Sequence, residues 1–311
     1  MQRSLVAVAF AWLLTPVGAA AQEPFGLLPE APDSDARWAP IEALKKKSPG
    51  LVATFAPHVH RNARGETMPY RLFTPERLAP GRTYPLVVFL HGAGGSGTDN
   101  RKQLEGANMF GALSWTLPEN QARHPAFVLA PQSDVNWPCV VVEKGKTARR
   151  PSDLRWCPAG VLGQGAAHAF EIIDTLVSTL PIDKDRIYLT GHSMGGAGTW
   201  HMIAHRPAFF AAAVPVCGHP DPATAVTVAR VPIWNFHGEA DDVEPVATSR
   251  QMIEALRRAG GQPRHTEYPG VGHNVFLWAY TEPALAEWLF AQKRPAKGAM
   301  VFAWSTPPAA N

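Results

Sequence analysis

The stretch GHSMG, residues 191–195, decides the fold because of what lies on either side of it. The residues before it, Arg186 to Thr190, have the apolar character of a buried strand, and Gly196 to His205 has helical spacing. A strand that turns sharply into a helix strains the backbone at the turn, and flanking glycines remove side chains that would clash there. The pattern therefore predicts that Ser193 stands above a sheet as a nucleophile.

Short apolar runs alternate with helical segments along the rest of the chain. The predicted strands are Leu86 to Leu90, Ala126 to Ala130, Arg186 to Thr190, Ala211 to Val216, Val231 to Phe236 and Arg264 to Tyr268. The predicted helices are Ala166 to Leu180, Gly196 to His205, Pro245 to Ala259 and Pro283 to Gln292. Apolar strands that alternate with helices predict an α/β fold with a mostly parallel central sheet covered on both faces. Before them, Ala53 to Arg61 and Met68 to Phe73 flank a turn-forming stretch, which predicts an antiparallel hairpin at the N-terminus.

The first residues have the composition of an export signal. Arg3 precedes an apolar run from Leu5 to Leu14, and Ala19 to Ala21 supply the small side chains of a cleavage site. The run is shorter than the roughly twenty residues that span a bilayer. We therefore predict a signal peptide over residues 1–21, a secreted or periplasmic location, and no membrane association after the signal is removed.

The remaining chain divides by composition. Residues 22–50 mix prolines and charges, which predicts an exposed lead-in, and residues 295–311 predict a loose tail. Between them, residues 51–294 are expected to form one catalytic domain with an insertion at about 132–165. Lys and Arg number 29 against 26 Asp and Glu, so the net charge of +3 is too balanced for a nucleic-acid partner.

Two later strand ends offer the partners that a serine nucleophile needs. A serine hydroxyl requires a base within hydrogen-bond reach and an acid that orients the base. Asp241 follows the strand that ends at Phe236, and His273 follows the strand that ends at Tyr268. The chain order Ser193, Asp241, His273 is the order of the α/β-hydrolase triad. Asp242 is a rival for the acid, but we assign it to the start of the following helix as a cap.

The tetrahedral intermediate of acyl transfer also needs hydrogen-bond donors. We expect them to be the backbone N–H groups of Met194, directly after the nucleophile, and of Ala93, in the glycine-rich bend after the first parallel strand. Gly92, Gly94 and Gly97 in this bend also fit the dinucleotide pattern G-x-G-x-x-G. That interpretation requires an acidic residue about twenty positions further on, at the end of the next strand, but the next predicted strand ends at about Ala130 to Pro131, roughly twice too far away. No cofactor is predicted.

The cysteines, tryptophans and histidines supply further expectations. Export favours a disulfide between Cys139 and Cys157, while Cys217 is predicted to be a buried free thiol. Three indoles, Trp137, Trp156 and Trp278, are candidates for a substrate pocket. No metal site is predicted, because the metal-binding motif H-E-x-x-H is missing and His58 with His60 is typical of a solvated strand face.

The motifs together resemble secreted α/β-hydrolases of the predicted-peptidase and polyhydroxybutyrate-depolymerase-like group, near the dienelactone hydrolase and prolyl oligopeptidase families. The similarity covers about Met68 to Arg294 and departs from the group at Glu244 and at the insertion. It implies a serine hydrolase that cleaves small-molecule or polymeric carboxylic esters through an acyl-enzyme. The alternatives are a peptidase of the prolyl-oligopeptidase type and an inactive binding protein on the same fold. Neither the substrate nor the oligomeric state follows from the sequence.

Overall fold

The computed structural model describes residues 38–142, 154–158 and 160–294. Within these ranges, eight strands form one sheet in the order β1-β2-β4-β3-β7-β8-β9-β10, and β5 pairs with β6 in a separate hairpin. The strands are β1 (Ala56–Arg61), β2 (Thr67–Phe73), β3 (Tyr84–Leu90), β4 (Phe127–Pro131), β5 (Val140–Val142), β6 (Leu154–Trp156), β7 (Ile182–His192), β8 (Ala212–Val216), β9 (Trp234–Gly238) and β10 (Arg264–Tyr268). The β1–β2 and β2–β4 pairs are antiparallel, and the other neighbours in the large sheet run parallel. The predicted mostly parallel sheet with an N-terminal hairpin is confirmed.

Helices cover both faces of this sheet. They are α1 (Ala39–Ala53), α2 (Met109–Leu113), α3 (Pro118–Arg123), α4 (Gln164–Thr179), α5 (Met194–His205), α6 (Ala225–Val228), α7 (Val246–Arg258), α8 (Phe276–Ala279) and α9 (Leu285–Ala291). Side chains alternate along β3: Val87 and Phe89 pack with α1, α2, α8 and α9, whereas Leu86 and Val88 pack with α4 to α7. Because both faces of the sheet are buried at β3, its sequence is a continuous run of apolar residues.

Helix α1 corrects the prediction of an exposed lead-in over residues 22–50. Ile41 and Leu44 on this helix are 0% and 2% exposed, and Trp38 just before it is 7% exposed. All three side chains belong to the core on one face of the sheet. Burial of apolar side chains stabilises by about 1.5–3 kcal/mol each, so this segment is part of the folded domain.

The insertion folds back as a small hairpin. Strands β5 and β6 pair antiparallel, with Val140 opposite Trp156, and Cys139 forms the predicted disulfide with Cys157. The imidazole Nε2 of His201 on α5 accepts the N–H groups of Cys139 at 3.4 Å and Gly163 at 3.1 Å. The base of the hairpin therefore rests on the helix that begins directly after Ser193.

Three sequence predictions lie outside the described residues. They are the signal peptide over residues 1–21, the first part of the lead-in over residues 22–37, and the tail from residue 295. No helix in the part of the chain that the structure describes has the length and apolar character to cross a membrane.

Candidate active site

A sharp turn presents Ser193 between β7 and α5. The strand ends at His192, the helix begins at Met194, and Ser193 has φ +55° and ψ −121°. This conformation is rare for a residue with a side chain and costs about 1–3 kcal/mol. Close packing enforces it: the Ser193 N–H donates to the Val216 carbonyl at 2.9 Å, and a Cβ on Gly195 would collide with the Leu90 carbonyl. This packing therefore holds Ser193 in the strained conformation and its hydroxyl above the sheet.

Two hydrogen bonds link the hydroxyl to a buried carboxylate. The Ser193 Oγ lies 2.8 Å from His273 Nε2, and His273 Nδ1 lies 2.8 Å from Asp241 Oδ2. An ionised carboxylate only accepts hydrogen bonds, so Nδ1 carries the proton and Nε2 is free to accept one from the hydroxyl. The structure thus brings the three predicted triad residues together in the geometry that nucleophile activation requires.

The surroundings of Asp241 keep its carboxyl ionised. Burial alone raises the pKa of a carboxyl, but hydrogen bonds from His237, His273 and the Glu244 N–H outweigh it here. The pKa of Asp241 is therefore held well below its ordinary value. The Oδ1 atom accepts the N–H groups of Val243 at 3.0 Å and Glu244 at 2.8 Å, which fixes the carboxylate towards His273.

The neighbouring Asp242 is not part of the hydrogen-bonded relay that Ser193, His273 and Asp241 form. Its side chain is exposed, whereas that of Asp241 is fully buried. The expectation that Asp242 caps the next helix is wrong, because α7 begins at Val246 after Pro245 and no side chain caps it. Instead, the Asp241 carboxylate itself accepts the backbone N–H groups of the turn before that helix.

The two predicted oxyanion donors lie at element starts beside the serine. Met194 is the first residue of α5, so its N–H has no acceptor within the helix. Ala93 opens a single 3₁₀ turn after β3. The buried Asn108 side chain anchors this turn, because its Oδ1 accepts the Gly92 N–H at 2.9 Å. The donor role of both amides stays a prediction.

Three histidines next to the motifs hold the loops of the site. The His91 ring bonds the Gly92 carbonyl at 2.8 Å and the Ser133 N–H at 2.9 Å, and burial lowers its pKa to about 4. His192 lies against Phe276 with ring centres 4.6 Å apart, and burial lowers its pKa to about 3. His237 contacts Ser249 and the Glu244 carbonyl, each at 2.8 Å. These contacts give all three imidazoles a structural role beside the site.

The three candidate pocket tryptophans have different environments. Trp137 is wrong as a pocket residue: it is 0% exposed, and its indole N–H donates to the His91 carbonyl at 2.9 Å. Trp278 is half-buried and lies edge-on against Trp38, with ring centres 5.3 Å apart. Trp156 is half-buried and stacks on the imidazoles of His201 and His219, and its place in a substrate pocket stays a prediction.

A row of side chains next to the relay has no motif in the sequence. Trp156 stacks on His201 at 5.8 Å and on His219 at 6.2 Å between ring centres. His219 Nδ1 lies 3.4 Å from the Glu244 Oε2 atom, whose side chain is 4% exposed. Gly218 packs against the first turn of α5, so the row runs beside Ser193. The only sequence signal for His219 is its position just after a strand end, where α/β sheets place their sites.

Cys217 lies beneath the relay as the predicted buried free thiol. Its Sγ contacts the His273 carbonyl at 3.6 Å, and burial raises the pKa of the thiol well above its ordinary value. Potential ligand atoms of Cys217, Asp241 and His273 lie within 4.8 Å of one another. However, the Asp241 and His273 atoms already share a 2.8 Å hydrogen bond, which leaves no room for an ion between them.

The sheet topology, the strand-to-helix turn at Ser193 and the placement of the relay at strand ends define the α/β-hydrolase fold. Residues 162–287 match the family model described as the dienelactone hydrolase family. The match covers the segment that holds Ser193, Asp241 and His273. The resemblance predicted from the motifs is confirmed.

A solved structure shares this fold, and curated proteins match parts of the sequence. A solved structure described as a thermostable esterase is 38% identical, with a TM-score of 0.70 over 78% of this chain and 64% of that chain. A putative esterase, NocK, from Nocardia uniformis subsp. tsuyamanensis is 27% identical over 63% of this chain and 58% of its own length. An uncharacterized secreted protein from Arthroderma benhamiae is 32% identical over 30% of this chain and 13% of its own length. This chain thus spans less than two thirds of each of them.

Proposed function

We propose that this chain is a secreted serine hydrolase that cleaves carboxylic esters. The observation that carries the proposal is the continuous relay from the strained Ser193 hydroxyl through His273 to the ionised Asp241 carboxylate, at 2.8 Å for each link. The similarity to proteins described as esterases supports the same reaction class. Ser193 is the nucleophile, His273 the general base and acid, and Asp241 the residue that fixes the imidazole.

The reaction follows from the direction of the relay. As the Ser193 Oγ attacks the ester carbonyl carbon, its proton passes to His273 Nε2 and the carbonyl oxygen becomes an oxyanion. Collapse of this intermediate breaks the ester C–O bond, and the imidazolium returns the proton to the leaving alkoxide. Water then attacks the acyl-enzyme with His273 again as the base, which releases the acid and restores the serine.

The oxyanion of the tetrahedral intermediate needs hydrogen-bond donors that are already in place when the charge forms. We assign this role to the N–H groups of Met194 and Ala93, since each opens a helical turn beside the serine. The positive end of the α5 dipole lies at the same point and favours negative charge there. Asn108 acts through this loop as a positioning residue because it holds the Gly92 N–H.

Ser193→Ala tests the nucleophile. We expect hydrolysis of p-nitrophenyl acetate to fall by on the order of 10³ or more, with unchanged circular dichroism, because the oxyanion donors remain. Ser178→Ala is the matched control, since this exposed hydroxyl on α4 bonds only a carbonyl of its own helix. A fluorophosphonate probe should label the wild type and the control but not Ser193→Ala.

The outcomes separate the alternative functions. Loss of both labelling and ester hydrolysis only in Ser193→Ala supports the proposal, whereas retention of most activity refutes the nucleophile. An unlabelled wild type that hydrolyses nothing indicates a binding protein on the same fold. A kcat/KM for an aminoacyl p-nitroanilide above that for the p-nitrophenyl ester indicates a peptidase.

The export half of the proposal rests on separate observations. Residues 1–21 have the composition of a signal peptide, and the Cys139–Cys157 disulfide is of the kind that persists in oxidising compartments. One similar protein is described as secreted. The mature catalytic domain that we propose begins near Trp38 and ends near Arg294, because α1 belongs to the core. Intact mass of the protein recovered from the medium or periplasm tests cleavage after residue 21.

A further inference from the structure

A cluster of metal-binding side chains lies at the edge of the sheet, away from Ser193. His60 is on the edge strand β1, and His168 and Glu171 lie one helical turn apart on α4. Strand β1 is four positions from β7 in the sheet, which is about 19 Å at about 4.8 Å per strand. The cluster is therefore a feature separate from the candidate active site.

The three side chains converge on one point. The Glu171 Oε2 atom lies 3.3 Å from His60 Nε2 and 3.9 Å from His168 Nε2, and all three atoms lie within 4.8 Å of one another. In a tetrahedral zinc site with bonds of about 2.0–2.1 Å, ligand atoms lie about 3.3 Å apart. Small side-chain rotations are enough to reach that geometry.

The buried nitrogen of His168 gives an independent reason to expect a ligand. His168 is 6% exposed, and its Nε2 atom has no hydrogen-bond partner. A buried polar atom without a partner costs about 1–3 kcal/mol, so such atoms are rare unless something binds them. A cation between the three side chains would partner this nitrogen and both other ligand atoms at once.

Charge and exposure around the cluster agree with a bound cation. The nearby Arg64 guanidinium is occupied by Glu66, with 2.8 Å between Arg64 Nη2 and Glu66 Oε2. Glu171 is 40% exposed and His60 is 18% exposed, so solvent reaches the site from one side. A water molecule can therefore supply the fourth ligand.

We propose that His60, His168 and Glu171 bind a divalent transition-metal ion, zinc foremost, which ties the N-terminal hairpin to α4. Two imidazoles and one carboxylate favour zinc over calcium or magnesium, which prefer oxygen ligands. No metal-binding motif marks this set in the sequence, and His60 was expected on a solvated strand face, because the ligands come from β1 and α4, far apart in the chain. The His-x-x-Glu spacing on one helix face was the available signal.

Metal binding to the tag-free mature protein tests the proposal directly. After treatment with EDTA and dialysis, Zn²⁺ titrated into the wild type in a calorimeter should bind with one ion per chain and raise the melting temperature by several degrees. His60→Gln and Glu171→Gln, both at partly exposed positions that should still fold, are expected to lose at least tenfold in affinity and the thermal shift. Co²⁺ should give the visible absorption typical of tetrahedral coordination.

His58→Gln is the matched control. His58 is an exposed imidazole on the same strand that stacks on Tyr70 at 5.0 Å, so its loss should leave zinc affinity unchanged. The proposal is overturned if the wild type does not bind Zn²⁺, if His60→Gln and Glu171→Gln bind as tightly as the wild type, or if His58→Gln weakens binding equally. Because the readout is binding, these outcomes are independent of the proposed ester hydrolysis.

Discussion

Asp241 is the residue whose environment is most specialised for the relay. It is fully buried, it accepts hydrogen bonds from two backbone N–H groups, and it contacts both His237 and His273. This arrangement fixes one carboxylate oxygen on His273 and keeps the group ionised. Asp242, one residue further, has none of these contacts and faces solvent.

Asparagine variants of the two acids test this assignment. Asp241→Asn should lower kcat for p-nitrophenyl acetate by about 10³–10⁴, because an amide no longer fixes the tautomer of His273. Asp242→Asn should stay within about twofold of the wild type, since exposed substitutions have small effects. The comparison uses kcat with melting curves for both variants. A larger loss in Asp242→Asn would reverse the assignment.

Functional residues that lie within sequence motifs could be predicted, whereas those outside any motif could not. Ser193 and His273 follow strand ends and are flanked by glycines, so local pattern was enough to select them from the chain. His219 and Asn108 were missed because their roles come from packing between distant segments. Trp137 was assigned to the pocket because a sequence does not show which side of a loop an indole faces.

At the scale of elements, the presence of the strands was predictable from the sequence, whereas the first helix was not. Strand β10 was predicted with the bounds that the structure has, because Gly260, Gly261 and Pro263 precede it and Pro269 follows it. Helix α1 was not predicted, because its apolar residues are few and the charged run Lys45 to Lys47 and Pro49 interrupt their helical spacing. Its role in the core depends on a partner surface formed by segments more than 50 residues away.

The disulfide hairpin is the element whose loss should change substrate binding. Cys139→Ser with Cys157→Ser removes a crosslink worth on the order of 3 kcal/mol for a loop of this length. Without the crosslink, Trp156 would stack on His201 and His219 for a smaller fraction of the time, while the relay stays intact. We expect KM for p-nitrophenyl esters to rise severalfold with kcat within about threefold. An unchanged KM, or a fall in kcat alone, would contradict this role for the hairpin.

At the scale of the whole molecule, buried neutral histidines set the response to acid. Burial lowers the pKa of His91 to about 4 and, with nearby histidines, that of His192 and His201 to about 3, from an ordinary 6.5. Their contribution to the free energy of unfolding is fully present above pH 6.5. It is lost as the pH falls from 6.5 towards the pKa values of these histidines in the folded protein, because the unfolded chain binds protons that the folded chain does not. Asp241 affects the pH dependence of stability only below about pH 3.8, the ordinary pKa of its carboxyl group.

Urea unfolding at pH 7, 6 and 5 measures this effect. The free energy of unfolding should fall with decreasing pH by up to about 1.4 kcal/mol per unit for each histidine. His201→Gln keeps an acceptor for the Gly163 N–H but does not titrate, so the free energy of unfolding should fall less steeply with decreasing pH than in the wild type. The exposed variant His58→Gln should keep the full slope. A pH-independent wild type, or an unchanged slope in His201→Gln, would contradict the interpretation.

Among the described residues, β1 and β10 are the edge strands of the large sheet, and both carry side chains that disfavour pairing with another copy. Unpaired strand edges are templates for aggregation, and proteins blunt them with proline and charge. On β1, Pro57 has no N–H to offer, and Arg61 closes the strand. On β10, Arg264 and Glu267 place opposite charges along the edge. The proline of one border strand and the charges of the other are therefore features that disfavour edge-to-edge association of two molecules.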